Sequence, residues 1–315
     1  MSSLKFTKLL LVSIGFALSG FLSGFGEEAS LIPRPDPSTE TTASHSYQIS
    51  EDIIAEIKLL RQASGATGVP REPGVQVKKV PFHVYAKYLE IMEKIRRTRD
   101  RMNLSEIQAL SMPTKAILPK DIQDMGQRIL HELREIKTEL KVTATIAPAP
   151  LPEGKSPSNV YENLGRASYL LDGIAGETDP NDVFRNVRYV LRELTLIANQ
   201  TNIPLNIEPP LMQPGKRPHD VTLEGFKNLY KLVKVESKLG MTGFGVPHFP
   251  SGHITPSDAL DTTNMLLAEL VRIKVHLHIL APWEFLPVPE GKQPSDVLVL
   301  MRQVGLSLDQ FLESL

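Results

Sequence analysis

The chain has 315 residues, with 35 Lys and Arg against 36 Asp and Glu, and 41% of it is apolar. That is enough apolar material for one or two packed cores, and the balanced charge excludes a polybasic nucleic-acid binder and wholesale disorder. The absence of cysteine excludes disulfides, thiol catalysis, cysteine-ligated zinc and lipidation at cysteine.

Residues 1–8 carry Lys5 and Lys8 and no acid, and an apolar run from Leu9 to Phe25 follows. This is the pattern of a secretory signal peptide, residues 1–26, cut near Gly26, so the protein is expected to be exported, to the periplasm of a Gram-negative cell. Left uncut, the run would be a membrane anchor of marginal length. Residues 27–42 hold three prolines and few apolar side chains, and they read as a disordered linker.

A repeat organises the remainder. Prolines at 81, 119, 157, 180, 218, 256 and 294 are spaced 38, 38, 23, 38, 38 and 38 residues apart. Most are followed two residues later by Asp and then by an aliphatic residue: Pro119 and Asp121, Pro180 and Asp182, Pro218 and Asp220, Pro256 and Asp258, Pro294 and Asp296. Pro157 has Asn159 in that place and Pro81 has His83. Adding 137 to 81, 119 and 157 gives 218, 256 and 294, so residues 43–178 and 179–315 align as two homologous halves of four repeats. The first repeat has lost its opening proline.

Each motif predicts a helix start. Proline suits the first helical position, Ser156, Asp179 and Thr255 stand before it as N-caps, and an acid in the first turn faces free N–H groups. Apolar residues then recur at helical period for about 20 residues, as in Ile122, Ile129, Leu130, Leu133 and Ile136. Connectors of about 15 residues are too long for ordinary helix–helix loops. Ile203, Leu205 and Ile207, or Trp283, Phe285 and Leu286, mark them as extended segments laid over helices. Such a connector can return the chain to the end where its helix began, permitting parallel neighbours. The short Gly176–Asp179 link cannot, and an antiparallel hairpin is expected there. The expected fold is all-α: two tandem homologous four-helix halves with long Pro-rich extended connectors. The 38-residue period sets it apart from tetratricopeptide repeats, whose period is roughly 34.

Little in the chain points to chemistry. The Pro-x-Asp motif is explained by helix capping. Gly154-Lys155, Gly215-Lys216 and Gly291-Lys292 lack the rest of a phosphate loop. His248, His253, His276 and His278 are weak metal-ligand candidates, because a long helix separates the two pairs. Lys94, Arg96, Arg97, Arg99 and Arg101 end the second helix, where cations suit its last turn; the sharper reading is contact with an anionic membrane surface or partner. No catalytic constellation stands out, so neither an enzyme nor a cofactor is expected. The expected role is a non-catalytic scaffold or protein-interaction module, and the rival is a periplasmic small-ligand-binding or sensor protein holding an apolar molecule between helices.

Overall fold

Among the described residues, seven of the eight helices begin at a repeat proline: α1 (Ala43–Ala63), α2 (Pro81–Arg101), α3 (Pro119–Glu139), α4 (Pro157–Ala175), α5 (Pro180–Gln200), α6 (Pro218–Lys238), α7 (Pro256–His276) and α8 (Pro294–Ser314). This computed structural model describes residues 42–67 and 69–315, and no strand occurs among them. The expected signal peptide and all but the last residue of the expected linker lie outside the described residues.

Capping side chains close the helix starts. Asp121, Asp220, Asp258 and Asp296 each accept the backbone N–H three residues back, from Leu118, Arg217, Thr255 and Gln293, at 2.7–2.9 Å. Asn159 takes the N–H of Ser156 at 3.0 Å, and His83 Nδ1 takes that of Val80 at 2.9 Å. Asp182 departs from the expectation. Asp179 caps α5 by accepting the N–H groups of Asn181 and Asp182, while the Asp182 carboxylate turns to Arg97. At the far ends, residues with φ of 54–72° follow α2, α3, α5, α6 and α7: Asn103, Lys141, Asn202, Gly240 and His278. In each case the next N–H bonds a carbonyl five residues back, as from Ile279 to Lys274, which stops the helix.

Within the first half, α1 and α2 each pack on α3 and α4; within the second, α5 and α6 each pack on α7 and α8. The first two helices of a half therefore lie diagonally opposite, as do the last two. All four run the same way. Across α1 and α4, Ser50 meets Asn163 and Arg61 meets Leu170, at sequence offsets of 113 and 109. Across α5 and α7, Asn186 meets Thr263 and Glu193 meets Lys274, at offsets of 77 and 81. An antiparallel pair would lose two residues of offset per step. Consistently, Pro180, Pro218, Pro256 and Pro294 ring one small void of about 10 Å³. Parallel helices add their dipoles where antiparallel ones cancel them, which makes an acid in the first turn worth more here.

The connectors do return the chain along the helices. Ile203, Leu205 and Ile207 are half-buried while Pro204, Asn206 and Glu208 between them are exposed, the alternation of an extended strap. The midpoint hairpin is not formed, because α4 and α5 do not pack on each other. Gly176 carries the chain out of α4 with φ 88° and ψ 161°, and the Arg101 guanidinium fills the space a Cβ would need. The halves instead meet through α2 and α7. Each half has its own apolar core, and Phe82 and Ala86 of α2 join the core of the second.

Candidate functional site

The junction grows from a polar stripe on α2. His83, Lys87, Glu90, Lys94 and Arg97 recur every three or four residues, so they share one face, while Val84, Tyr88, Ile91 and Ile95 fill the core on the other. Every member of the stripe is engaged. Val80 N–H occupies His83 Nδ1, which leaves the proton on Nε2 to donate to Glu269 of α7. Burial lowers the His83 pKa and keeps the ring neutral despite that carboxylate. Glu269 also receives Arg272 at 2.7 Å and faces Glu236 of α6. Burial and the Glu269 charge push Glu236 up to about 9, so this pair of carboxyls shares a proton at neutral pH.

One turn on, Lys87 pairs with Asp261 of α7 and with Glu90 at 2.9 Å. Glu90 accepts Asn264 Nδ2 at 2.8 Å and the Ser168 hydroxyl at 2.5 Å. Lys94 donates to Ser168 Oγ at 2.6 Å and pairs with Asp172 at 2.6 Å. A serine beside a lysine is chemically suggestive, but here the ammonium is held by a carboxylate. The void lined by Lys87 and Glu90 measures only about 10 Å³, while Glu90 and Lys94 also border a larger opening.

Space opens further along. A cleft of about 490 Å³ lies between α2, α5 and α7, walled by two straps, Glu106–Met112 and Trp283–Leu286. Its apolar side is built by Leu89, Met92, Leu110, Met112, Leu260 and Leu267. The rings of Tyr189 and Trp283 lie 4.6 Å apart, and Phe285 is 57% exposed. Phe285 is thus not laid down on the helices as the sequence reading expected. On the polar side Arg97 pairs with Asp182 at 2.8 Å, and Glu93 bridges Arg96 at 3.0 Å and Arg185 at 3.3 Å. Four basic residues, Lys94, Arg96, Arg97 and Arg185, balance four acids, Glu90, Glu93, Glu106 and Asp182. Arg97 Nε is buried with no acceptor.

The sequence candidates fare differently. The basic stretch is engaged inside the molecule: Lys94 and Arg97 as described, Arg96 on Glu93 and Asp100, and Arg99 on Ser105 and on Glu139 at 2.7 Å. Only Arg101 of the five is exposed. His248, His253, His276 and His278 are all exposed. His278 occupies the left-handed position after α7, and His276 donates to Leu239 O at 3.2 Å. Among the described residues no three His, Asp or Glu side chains converge as a metal site. Gly154, Gly215 and Gly291 have φ of 67–77°, which accounts for glycine before these helix starts. No helix of the described residues is long and apolar enough to cross a membrane.

The cleft itself went unseen in the sequence, since its apolar residues look like any helix face. The stripe at 83, 87, 90, 94 and 97 was a readable signal: five polar residues at helical spacing, on a helix whose other face is apolar. Compared with known proteins, the chain matches no family model, no curated protein and no solved structure.

Proposed function

We propose that the protein is an exported, non-catalytic interaction module that takes its partner at the junction cleft. The observation that carries this reading is the cleft: about 490 Å³, with apolar and aromatic walls and a polar floor, formed only where the two halves meet. That volume and lining suit a small ligand as well as an inserted peptide, so the choice between the two readings rests on the test below. The helical cores favour the rival less, since the voids at the second half's helix starts and beside Lys87 hold only about 10 Å³ each. The apolar run at Leu9–Phe25 supports export.

The test is comparative capture from a periplasmic extract, using the protein and its Phe285→Ala variant. Phe285 is exposed, so its loss should leave the melting temperature unchanged. A partner retained by the protein and lost by the variant supports the reading. Equal capture by both, or a single metabolite that raises the melting temperature of both alike, overturns it.

A further inference from the structure

We infer that the junction cleft binds an extended, proline-containing peptide segment, laid down as one more strap beside those the chain itself supplies. The inference rests on the cleft being the site and adds the chemistry of its occupant.

The chain already shows how these helices hold extended backbone. An extended segment leaves its N–H and C=O groups without local partners, so something else must bond them. Here helix side chains do so. Asp52 accepts the Ala149 N–H at 2.7 Å while Gln48 donates to the Ala149 carbonyl at 2.6 Å. Gln310 accepts Asn206 N–H at 3.2 Å and donates to Pro204 O at 3.3 Å. Tyr189 accepts the Leu286 N–H at 2.7 Å on the wall of the cleft itself. Segments rich in proline are thus docked on parallel helices by helix side chains that bond the strap backbone.

The cleft is a gap between two such straps, and its features fit the same kind of guest. Proline-rich segments hold an extended helix with little entropy left to lose, and they are received by aromatic grooves. Trp283 and Tyr189 form one such wall, and Phe285 adds an exposed ring from the same strap. The equal number of acids and bases in the lining matches an uncharged backbone and disfavours a polyanion or an anionic headgroup.

The test selects random dodecapeptides displayed on phage against the immobilised protein, then measures the selected peptides by fluorescence. Trp283 is the only tryptophan of the chain, so its emission reports occupancy of the cleft directly. The expected result is enrichment of proline among the selected peptides, a saturable Trp283 shift, and affinity at least about tenfold weaker in Phe285→Ala. Absence of binders, binders with no proline enrichment, or binders indifferent to Phe285→Ala would each overturn the inference. So would displacement of the selected peptides by dodecanoate at equal or lower concentration, which would make the guest a small amphiphile. Failure of the broader reading looks different: the captured partner would remain bound to Phe285→Ala.

Discussion

The two halves share one plan, and the contacts they keep differ in kind from those they have changed. Glu56 meets Lys137 at 2.6 Å in the first half, and 137 residues on Glu193 meets Lys274. Lys155 lies over the Tyr47 ring at 4.4 Å, and Lys292 over Phe184 at 4.8 Å. Backbone N–H groups of Lys79 and Lys216 bond Ser158 and Ser295, and those of Lys155 and Lys292 bond Ser44 and Asn181. All of these hold parallel helices in register. The changed pairs lie where helices cross. Tyr88 sits over Gly126 in the first half; at the matching crossing of the second, glycine has moved to α6 as Gly225, against Thr262. Arg99 lies near Glu132, whereas their counterparts Glu236 and Glu269 are two acids, balanced by Arg272 and a shared proton, with the neutral His83 of the other half donating to Glu269. The duplicated bundle thus keeps what aligns its parallel helices and alters the α2–α3 and α6–α7 crossings, one of which also receives His83 from the other half.

The largest effect should come from breaking a kept pair. Lys274→Met leaves Glu193, 1% exposed, without its cation and should cost about 3–5 kcal/mol in urea unfolding. Lys137→Met should cost less, because Arg134 still reaches Glu56 at 3.1 Å. Equal losses would show that the halves do not differ here.

Glu236→Gln tests the changed pair. Its carboxyl is near 4.3 when unfolded and about 9 when folded, so the folded state holds a proton that the unfolded state releases in between. Stability from this group is complete below about pH 4.3 and falls as pH rises towards 9. Melting temperatures of the variant should therefore exceed those of the parent by a margin that widens from pH 5 to 8. A constant margin would mean that Glu236 is ionised in the fold.

Gly225→Ala places a Cβ 2.5 Å from Thr262 Cγ2 and should cost about 1–3 kcal/mol, less the roughly 1 kcal/mol of helix propensity gained. Adding Thr262→Ser should recover most of the loss, and no recovery would mean that the clash is elsewhere. The smallest change is Asp296→Ala, about 0.5–2 kcal/mol for one lost helix-start contact, with Asp220→Ala alike. Asp182→Ala should behave differently. It frees Arg97 at the cleft and leaves the α5 cap in place, so it should alter Trp283 emission, which Asp296→Ala should not.

Much of this frame was legible because a helix start is a local event. Pro294, Asp296 and the apolar spacing after them define α8 without reference to any neighbour, and connector length alone allowed the parallel return. The junction was not legible for the opposite reason. The repeat makes α2 equivalent to α6 and α3 equivalent to α7, so nothing in it says that α2 should seek α7. His83 stands where five other repeats with an opening proline carry Asp, and only the fold reveals that its far nitrogen reaches Glu269. Trp283 and Phe285 have the same strap character in the sequence, yet one packs on Tyr189 and the other stays in the open.

The diagonal placement of α1 against α2 and of α3 against α4 bears on how such a chain folds. Most helical bundles can begin from a hairpin of two neighbours, which keeps their contact order low and their folding fast. Here only α2 with α3 and α6 with α7 are consecutive partners, and even Gly126 and Tyr88 are a full repeat of 38 residues apart. The other pairs within a half close loops of about two or three repeats, and His83 with Glu269 spans 186 residues. Each closure costs chain entropy before any core forms to offset it. This all-helical protein should accordingly fold on the timescale of a sheet protein, with its isolated helix pairs unstructured until a third helix arrives.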